Sequence, residues 1–193
     1  MSKLVAILGS VTPPGRSLKA VEWALRCVST EQPGTETQLI NLRDYRISFA
    51  DGRTPEQFAD DTGTVVREVD SGDALILASP VYRGSMSGAL KNLLDQLPVE
   101  ALAAKPCGII AIGATEHHFL GVDWHLRDVL AWFGALTMPT SVYLCSADFI
   151  GGEPSERARE DLRQLVATVL KMTALTGHIA SKLGPLPLAA RRA

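Results

Sequence analysis

Five short apolar runs alternate with amphipathic segments along this chain, and the alternation limits the fold more than any other feature. The apolar runs predict strands at residues 4–8, 37–42, 73–79, 107–112 and 138–145. Apolar residues at helical spacing predict helices at residues 17–29, 55–69, 88–97, 118–133 and 154–177. Strands that are apolar throughout are typical of a parallel sheet with helices on both faces.

The pattern therefore predicts a doubly wound α/β domain with a five-stranded parallel sheet. Right-handed crossovers between the strands favour the strand order 2-1-3-4-5. A chain of 193 residues is expected to form one domain. We predict that this domain covers residues 1–181, and that residues 182–193 form a loose tail or pack on a partner subunit.

Three predicted loops meet at the carboxyl edge of such a sheet, where ligands bind in open α/β folds. They follow the first, third and fourth strands, at residues 9–17, 80–85 and 113–118. In the order 2-1-3-4-5 the switch point lies between strands 1 and 3, so the three loops are expected to line one crevice. Their convergence points to a binding site more strongly than any single loop does.

The first loop is suited to hold an anion where a helix begins. Free backbone N–H groups and the helix dipole favour negative charge there. Ser10 and Ser17 add hydroxyls, and Arg16 adds a guanidinium that can bind phosphate oxygens. The loop lacks the spacing of dinucleotide-binding and Walker motifs, so a single phosphate monoester is the expected ligand. A plain serine N-cap after a Pro-Gly turn explains the same residues equally well.

The second loop is part of a longer motif. Residues 79–95 read SPVYRGSMSGALKNLLD, so a loop of Pro, Gly, Ser and one Tyr joins an apolar strand to an amphipathic helix. A tyrosine beside glycines and small hydroxyls suits a flat ligand that lies against backbone. The motif is not a hydrolase nucleophile elbow, because Met86 stands where G-x-S-x-G requires serine.

These segments together resemble the NAD(P)H-dependent FMN reductase family, which has the flavodoxin-like fold, an α/β three-layer sandwich. The resemblance is carried by Leu8-Gly9-Ser10, by Arg16-Ser17 and by the 79–95 motif, and it covers about residues 3–147. Many relatives have Asn at the position of Arg83, and many have Gly-Gly after the fourth strand, where this chain has Gly113-Ala114-Thr115.

Within the family, three segments are most similar to the reductase components of two-component alkanesulfonate or organosulfur monooxygenase systems. They are residues 79–82, residues 87–91 and Asp123-Trp124-x-Leu126. Such reductases feed reduced flavin to a separate monooxygenase, and relatives form dimers or tetramers. The resemblance therefore implies an NAD(P)H-dependent FMN reductase, a flavin-dependent monooxygenase partner and a homodimer or homotetramer.

The resemblance also assigns residues to FMN. They are Ser10, Arg16, Ser17, Leu18, Pro80, Val81, Tyr82, Arg83, Ser85, Gly113, Ala114 and Thr115. The first four would hold the phosphate, and the next four would line the ribityl chain and the edge of the isoalloxazine ring. Ser85 would lie near the reactive side of the flavin, and the last three residues would contact its pyrimidine end through backbone groups. The opposite face of the flavin would stay open to nicotinamide.

Hydride transfer from nicotinamide to FMN is chemistry that the cofactor supplies, so no catalytic acid or base is expected. The protein has to stack the two rings and exclude water. Two alternative functions occur on the same flavodoxin-like fold. One is a reductase that retains its flavin and acts on quinones, azo dyes or metal ions. The other is a flavodoxin-type electron carrier, which the net charge of -2 disfavours because such carriers are strongly acidic.

The charge and the composition of the chain argue against nucleic acid, membrane and metal as partners. A net charge of -2 gives no attraction to nucleic acid or to an anionic membrane surface. No uncharged apolar stretch reaches the roughly 18 residues of a membrane span, and no signal peptide is recognised, so a cytoplasmic protein is expected. Three cysteines without a CxxC pair, and histidines without zinc-binding spacing at 117, 118 and 125, predict that no metal is bound.

Overall fold

The computed structural model describes residues 2–177 and 184–185. The predicted domain boundary at residue 181 and most of the predicted tail at 182–193 lie outside these residues. The strands are β1 (Lys3–Leu8), β2 (Glu36–Asn41), β3 (Ala74–Pro80), β4 (Pro106–Ile112), β5 (Leu136–Thr137), β6 (Val142–Leu144), β7 (Phe149–Ile150) and β8 (Glu153–Pro154). The helices are α1 (Arg16–Glu31), α2 (Thr62–Asp70), α3 (Gly88–Gln96), α4 (Phe119–Trp132) and α5 (Glu156–Thr176).

The main sheet is parallel and has the strand order β2-β1-β3-β4-β5, with β6 also paired to β4. This confirms the predicted flavodoxin-like order. Leu8 at the end of β1 lies opposite Asn41 of β2 and Ala78 of β3. The carboxyl ends of these strands therefore lie at one edge of the sheet. β7 and β8 form a separate antiparallel pair that the sequence analysis missed.

Helices cover both faces of the sheet, as strands that are apolar throughout require. α2, α3 and α4 share one buried apolar layer with Ile7 and Leu77. α1 and α5 share a second layer with Ala6 and Ile76. Successive residues of a strand point to opposite faces, so each central strand contributes to both layers. None of the described helices combines the length and the apolar character that a membrane span needs.

The prediction of one helix over residues 55–69 is wrong. Pro55–Gln57 form a short 3-10 turn, and α2 begins only at Thr62. The break is held by Asp60, whose carboxylate accepts hydrogen bonds from the Ser48 backbone N–H at 2.9 Å and hydroxyl at 2.6 Å, and from the Thr62 N–H at 2.9 Å. These bonds lower the pKa of Asp60 to about 2. Aspartate that bonds nearby backbone in this way competes with helix formation.

The prediction of one strand over residues 138–145 is also wrong, because the fifth strand is split into β5 and β6. Pro139 lies between them and has no N–H to give to the sheet. Arg127 on α4 donates from Nη2 to the Pro139 carbonyl at 3.0 Å and from Nε to the Asp123 carboxylate at 2.8 Å. β6 then resumes beside the end of β4, where Tyr143 lies opposite Ala111.

α4 is α-helical from Phe119 to Trp132. It ends one residue before the predicted end at residue 133, and the chain turns away at Gly134, which has a φ of 69°. The Gly134 N–H donates to the Ala131 carbonyl at 3.0 Å, and the Ala135 N–H donates to the Leu130 carbonyl at 3.0 Å. A glycine in the left-handed region is the usual way to satisfy the last carbonyls of a helix.

Candidate functional site

A cavity of about 360 Å³ opens at the carboxyl edge of the sheet. Four strand ends contribute its lining. Each strand contributes its last residue and some of those that follow. The lining residues are Leu8, Ser10, Thr12, Pro13, Pro14, Gly15, Arg16, Ser17 and Leu18 from β1 onwards, Asn41 and Arg43 from β2, Pro80, Val81 and Tyr82 from β3, and Ile112, Gly113 and Ala114 from β4. The three loops singled out in the sequence therefore line one cavity. Of the predicted site residues, Arg83, Ser85 and Thr115 lie outside this lining.

The first turn of α1 faces the cavity without a side-chain cap. Its N-cap is Gly15, which has no side chain to bond the free N–H groups, and Arg16 is the first helical residue. The starts of α3 and α5 differ, since Ser87 and Ser155 cap them. Ser17 lies inside α1 and is not its N-cap, so the plain serine-cap interpretation of this loop is wrong. The open N–H groups and the helix dipole suit an anion.

Arg16 extends along the edge of the cavity towards the turn that follows β6. Its guanidinium donates to the Ser146 hydroxyl, and it lies 5.8 Å from the centroid of the Phe149 ring. The Ser146 hydroxyl in turn donates to the Ala114 carbonyl at 3.0 Å. Two side chains, Arg16 and Ser146, thus connect the start of α1 with the loop after β4.

A buried chain of hydrogen bonds holds the first loop against the second. The Ser87 hydroxyl donates to the Gly9 carbonyl at 2.5 Å, and the Ser87 N–H donates to the Ser79 hydroxyl at 2.9 Å. A Cβ atom at Gly9 would lie 2.8 Å from the Cβ of Leu90. Only glycine allows this close approach, so Gly9 and the two serines position the mouth of the cavity.

Tyr82 reaches the cavity from a tight turn. The N–H groups of Tyr82 and Ser85 donate to each other's carbonyls at 2.9 and 3.1 Å. Arg83 and Gly84 have φ angles of 52° and 76°, the positive values of a type I′ turn. The turn lies against α4, where a Cβ at Gly121 would be 2.4 Å from the Gly84 carbonyl oxygen. Gly121 is therefore needed for the turn, and nothing in the 79–95 motif indicates it.

The loop after β4 is held by β6. The Gly113 N–H donates to the Leu144 carbonyl at 2.9 Å, and the Tyr143 hydroxyl donates to the Thr115 carbonyl. A Cβ at Gly113 would lie 1.8 Å from the Tyr143 hydroxyl oxygen. The Tyr143 hydroxyl therefore occupies the space that any side chain at residue 113 would need, so Tyr143 requires glycine at that position.

The end of β2 also contributes to the cavity, which the sequence did not lead us to predict. Asn41 and Arg43 line the cavity beside the first loop. The Asn41 side chain holds the turn there, because its Oδ1 accepts from the Arg43 N–H at 3.4 Å and its Nδ2 donates to the Asp44 carboxylate at 2.9 Å. The predicted strand order contained the necessary signal, since the end of β2 lies next to the end of β1 in it.

Comparison with known proteins agrees with the geometry. The profile of the NADPH-dependent FMN reductase family matches residues 2–149. An NAD(P)H-dependent FAD/FMN reductase of Geobacillus thermodenitrificans is 35% identical over 135 residues, which cover 70% of this chain and 72% of the relative. An FMN reductase (NADPH) of Pseudomonas aeruginosa is 35% identical over 147 residues, which cover 76% of this chain and 78% of the relative.

Among solved structures, the apo form of an NADH:FMN oxidoreductase superposes with a TM-score of 0.74 at 25% identity, over 91% of this chain and 90% of that one. The family match includes the uncapped start of α1, the Tyr82 turn and the Gly113 loop, which together line the cavity. The chain belongs to the NADPH-dependent FMN reductase family and is an oxidoreductase of flavodoxin-like fold that uses FMN and NAD(P)H.

Proposed function

We propose that the cavity binds FMN with the phosphate at the start of α1 and the isoalloxazine ring between the loops after β3 and β4. We call residues 10–18 the phosphate end of the cavity, and residues 80–82 with 113–114 its ring end. The observation that carries the proposal is the uncapped first turn of α1, which opens into the same cavity as Tyr82 and Ala114.

The phosphate end has donors that match a phosphate monoester. Arg16 and the backbone N–H groups of the first turn supply charge-assisted hydrogen bonds. Ser10 is 8% exposed, and its hydroxyl lies 2.9 Å from that of Thr12. Ser17 and Leu18 lie on the same wall of the cavity. The resemblance assigns four of these residues to the phosphate, Ser10, Arg16, Ser17 and Leu18.

The ring end suits a flat aromatic ligand. The Tyr82 ring, 43% exposed, supplies an apolar face, and Gly113 and Ala114 bring backbone close to the ligand. Bound FMN supplies the hydride-accepting chemistry. The residues of the ring end bind and orient it, leave one face for nicotinamide, and place N–H groups where reduction makes the ring negative. The contacts of Arg83, Ser85 and Thr115 with FMN stay predictions.

We infer that reduced FMN leaves the protein and passes to a separate flavin-dependent monooxygenase. Residues 11–15 of the phosphate end are all exposed, so the phosphate would be held at the surface and not enclosed. An open phosphate end favours release over retention. The use of NAD(P)H and the three free, buried cysteines of the described chain favour a cytoplasmic location.

We infer further that the protein is a homodimer or homotetramer with α4 in the interface. Trp124 and Trp132 on α4 are 65% and 56% exposed. Trp132 lies beside Leu94 and Leu97 in an open groove between α3 and α4. Exposed aromatic residues next to an apolar groove mark protein interfaces. In light scattering after gel filtration, Trp132→Ser is expected to reduce the mass of a dimer to that of one chain, or the mass of a tetramer to that of two chains. An unchanged mass would place the interface elsewhere.

Initial rates of nicotinamide oxidation test the proposed function. NADH and NADPH are each supplied with and without FMN to the purified protein. We expect a colourless protein whose rate depends on added FMN. A yellow protein that keeps FMN through gel filtration and reduces quinones by ping-pong kinetics would support the flavin-retaining alternative. Absence of any nicotinamide oxidation with FMN present would contradict the reductase and favour an electron carrier.

A further inference from the structure

The carbonyl groups of the loop after β4 are held from outside the cavity. The Ser146 hydroxyl donates to the Ala114 carbonyl at 3.0 Å, and the Tyr143 hydroxyl donates to the Thr115 carbonyl. Both donors come from β6 and the turn after it. Two successive peptide groups of one loop are therefore fixed by side chains from a single segment.

Fixing a carbonyl also fixes an N–H group. A trans peptide points its C=O and its N–H in opposite directions, and the described chain has no cis peptide. Because Ser146 holds the Ala114 carbonyl, the Thr115 N–H points away from Ser146. In the same way, Tyr143 sets the direction of the Glu116 N–H. Among the described residues, neither of these N–H groups donates to a hydrogen-bond acceptor.

The two donors are themselves well fixed. Tyr143 is anchored by pairing of β6 with β4, and it fits against Gly113 without space for a Cβ atom there. Burial, with smaller contributions from Cys145 and Asp148, raises the pKa of Tyr143, so its hydroxyl keeps its proton at neutral pH. Ser146 begins a 3-10 turn that Asp148 closes by accepting from the Cys145 N–H at 2.8 Å.

We propose that Tyr143 and Ser146 are positioning residues for the isoalloxazine ring: by holding the Thr115 and Ala114 carbonyls, they turn the next two N–H groups of the loop, which follow the lining residues Gly113 and Ala114, towards the pyrimidine edge of FMN. The inference rests on the proposed function, since it takes the cavity to be the FMN site. Neither side chain lines that cavity, and both act through the backbone of the loop.

Affinity for two flavins tests the inference. Riboflavin has the ring of FMN but no phosphate, so a defect at the ring end affects both flavins equally. Tyr143→Phe and Ser146→Ala each remove one hydroxyl, and each is expected to raise the Kd of FMN and of riboflavin by about 2- to 12-fold, the equivalent of one hydrogen bond. Flavin fluorescence quenching measures both constants. Ser146→Thr, which keeps a hydroxyl, is expected to restore them.

The midpoint potential of bound FMN gives a second readout that a purely structural role would not move. Misdirected N–H groups would stabilise the reduced ring less, so the potential is expected to become more negative in Tyr143→Phe and in Ser146→Ala. Tyr45→Phe is the matched control, because Tyr45 is also a half-buried tyrosine but does not line the cavity. It is expected to leave both constants and the potential unchanged.

Two outcomes would overturn the inference. Unchanged constants and potential in both variants would show that the loop does not depend on these hydroxyls. A raised Kd for FMN alone would show that Ser146 acts only through Arg16 at the phosphate end. If the wild type binds neither flavin, the proposed function itself fails, whereas a wild type that binds both flavins as tightly as its variants contradicts only the positioning role.

Discussion

The phosphate end of the cavity is made of side chains and free N–H groups from one continuous stretch of sequence, whereas the ring end is made of backbone held by distant residues. Arg16 and Ser17 stand at the start of α1, and the preceding residues 11–15 are exposed. At the ring end, Gly121 of α4 makes room for the Tyr82 turn, and Tyr143 of β6 holds the Gly113 loop. We infer that the phosphate end determines which flavin binds and that the ring end determines how it is oriented.

The largest expected effect concerns the phosphate end. Arg16→Ala removes a charge-assisted contact worth about 1.5–3 kcal/mol, so the Kd of FMN is expected to rise by roughly 10- to 150-fold. The Kd of riboflavin is expected to stay the same, because the bond from Ser146 to Ala114 does not need the arginine. Titration by fluorescence quenching measures both. Arg46→Ala, at an exposed position outside the cavity, is the control, and an equal loss for both flavins would contradict the division between the two ends.

The next largest effect concerns the ring end. In Gly121→Ala, the added methyl group would lie 2.4 Å from the Gly84 carbonyl oxygen, so the Tyr82 turn has to move. Overpacking of this kind costs about 1–3 kcal/mol in the free energy of unfolding. Both flavins are expected to bind more weakly. Urea denaturation measures the stability.

The sign of the change in the free energy of unfolding shows whether the added methyl group meets the turn. In an ordinary helix, replacing glycine by alanine raises the stability by about 1 kcal/mol. Gly88→Ala is the matched control for stability, since a Cβ at Gly88 meets no atom within 4 Å. A Gly121→Ala protein that is more stable than the wild type would disprove the contact between α4 and the turn.

A smaller effect is expected from pH, which should change the affinity for FMN and leave the affinity for riboflavin unchanged. The second pKa of a phosphate monoester is about 6, so FMN loses one negative charge below that pH and is attracted less to Arg16. The affinity for FMN is therefore expected to fall by a few-fold between pH 7 and pH 5, while that for riboflavin stays level. Added salt is expected to act in the same direction, because residues 11–15 around the phosphate are exposed and the contact is screened. A parallel response of both flavins would argue against a phosphate contact.

The smallest expected effect concerns the stability of the Tyr82 turn. Arg83 has a φ of 52°, a region that disfavours most side chains and that asparagine tolerates better. Arg83→Asn is expected to raise the free energy of unfolding by about 0.5–1 kcal/mol. Thermal unfolding measures the stability, and flavin titration reports whether the predicted contact of Arg83 with FMN exists. A destabilised variant would mean that the arginine side chain contributes contacts that outweigh the backbone strain.

The order of the sheet could be predicted because each strand is a continuous apolar run and right-handed crossovers leave few topologies. The edge on which the loops meet followed from that order. The side chains of the phosphate end were predictable for a related reason, since they all lie on one continuous stretch of sequence, residues 10–18, directly after Gly9. Arg16, Ser17 and Leu18 do line the cavity.

The ring end depends on contacts that no local pattern contains. The bond from Tyr143 to Thr115 joins residues 28 positions apart, and the bond from Ser146 to Ala114 joins residues 32 positions apart. The two wrong elements have a similar origin. Asp60 interrupts the predicted helix by bonding Ser48 from a separate loop. Pro139 interrupts the predicted strand, which was visible in the sequence as a residue that cannot donate to a sheet.

A crystal structure with FMN at saturating concentration tests the central claim most directly. The account predicts the phosphate within hydrogen-bond distance of the Arg16 guanidinium and the first-turn N–H groups of α1, and the ring between Tyr82 and the Gly113 loop. An FMN molecule bound elsewhere, or one placed with its ring against α1 and its phosphate beside Tyr82, would contradict it.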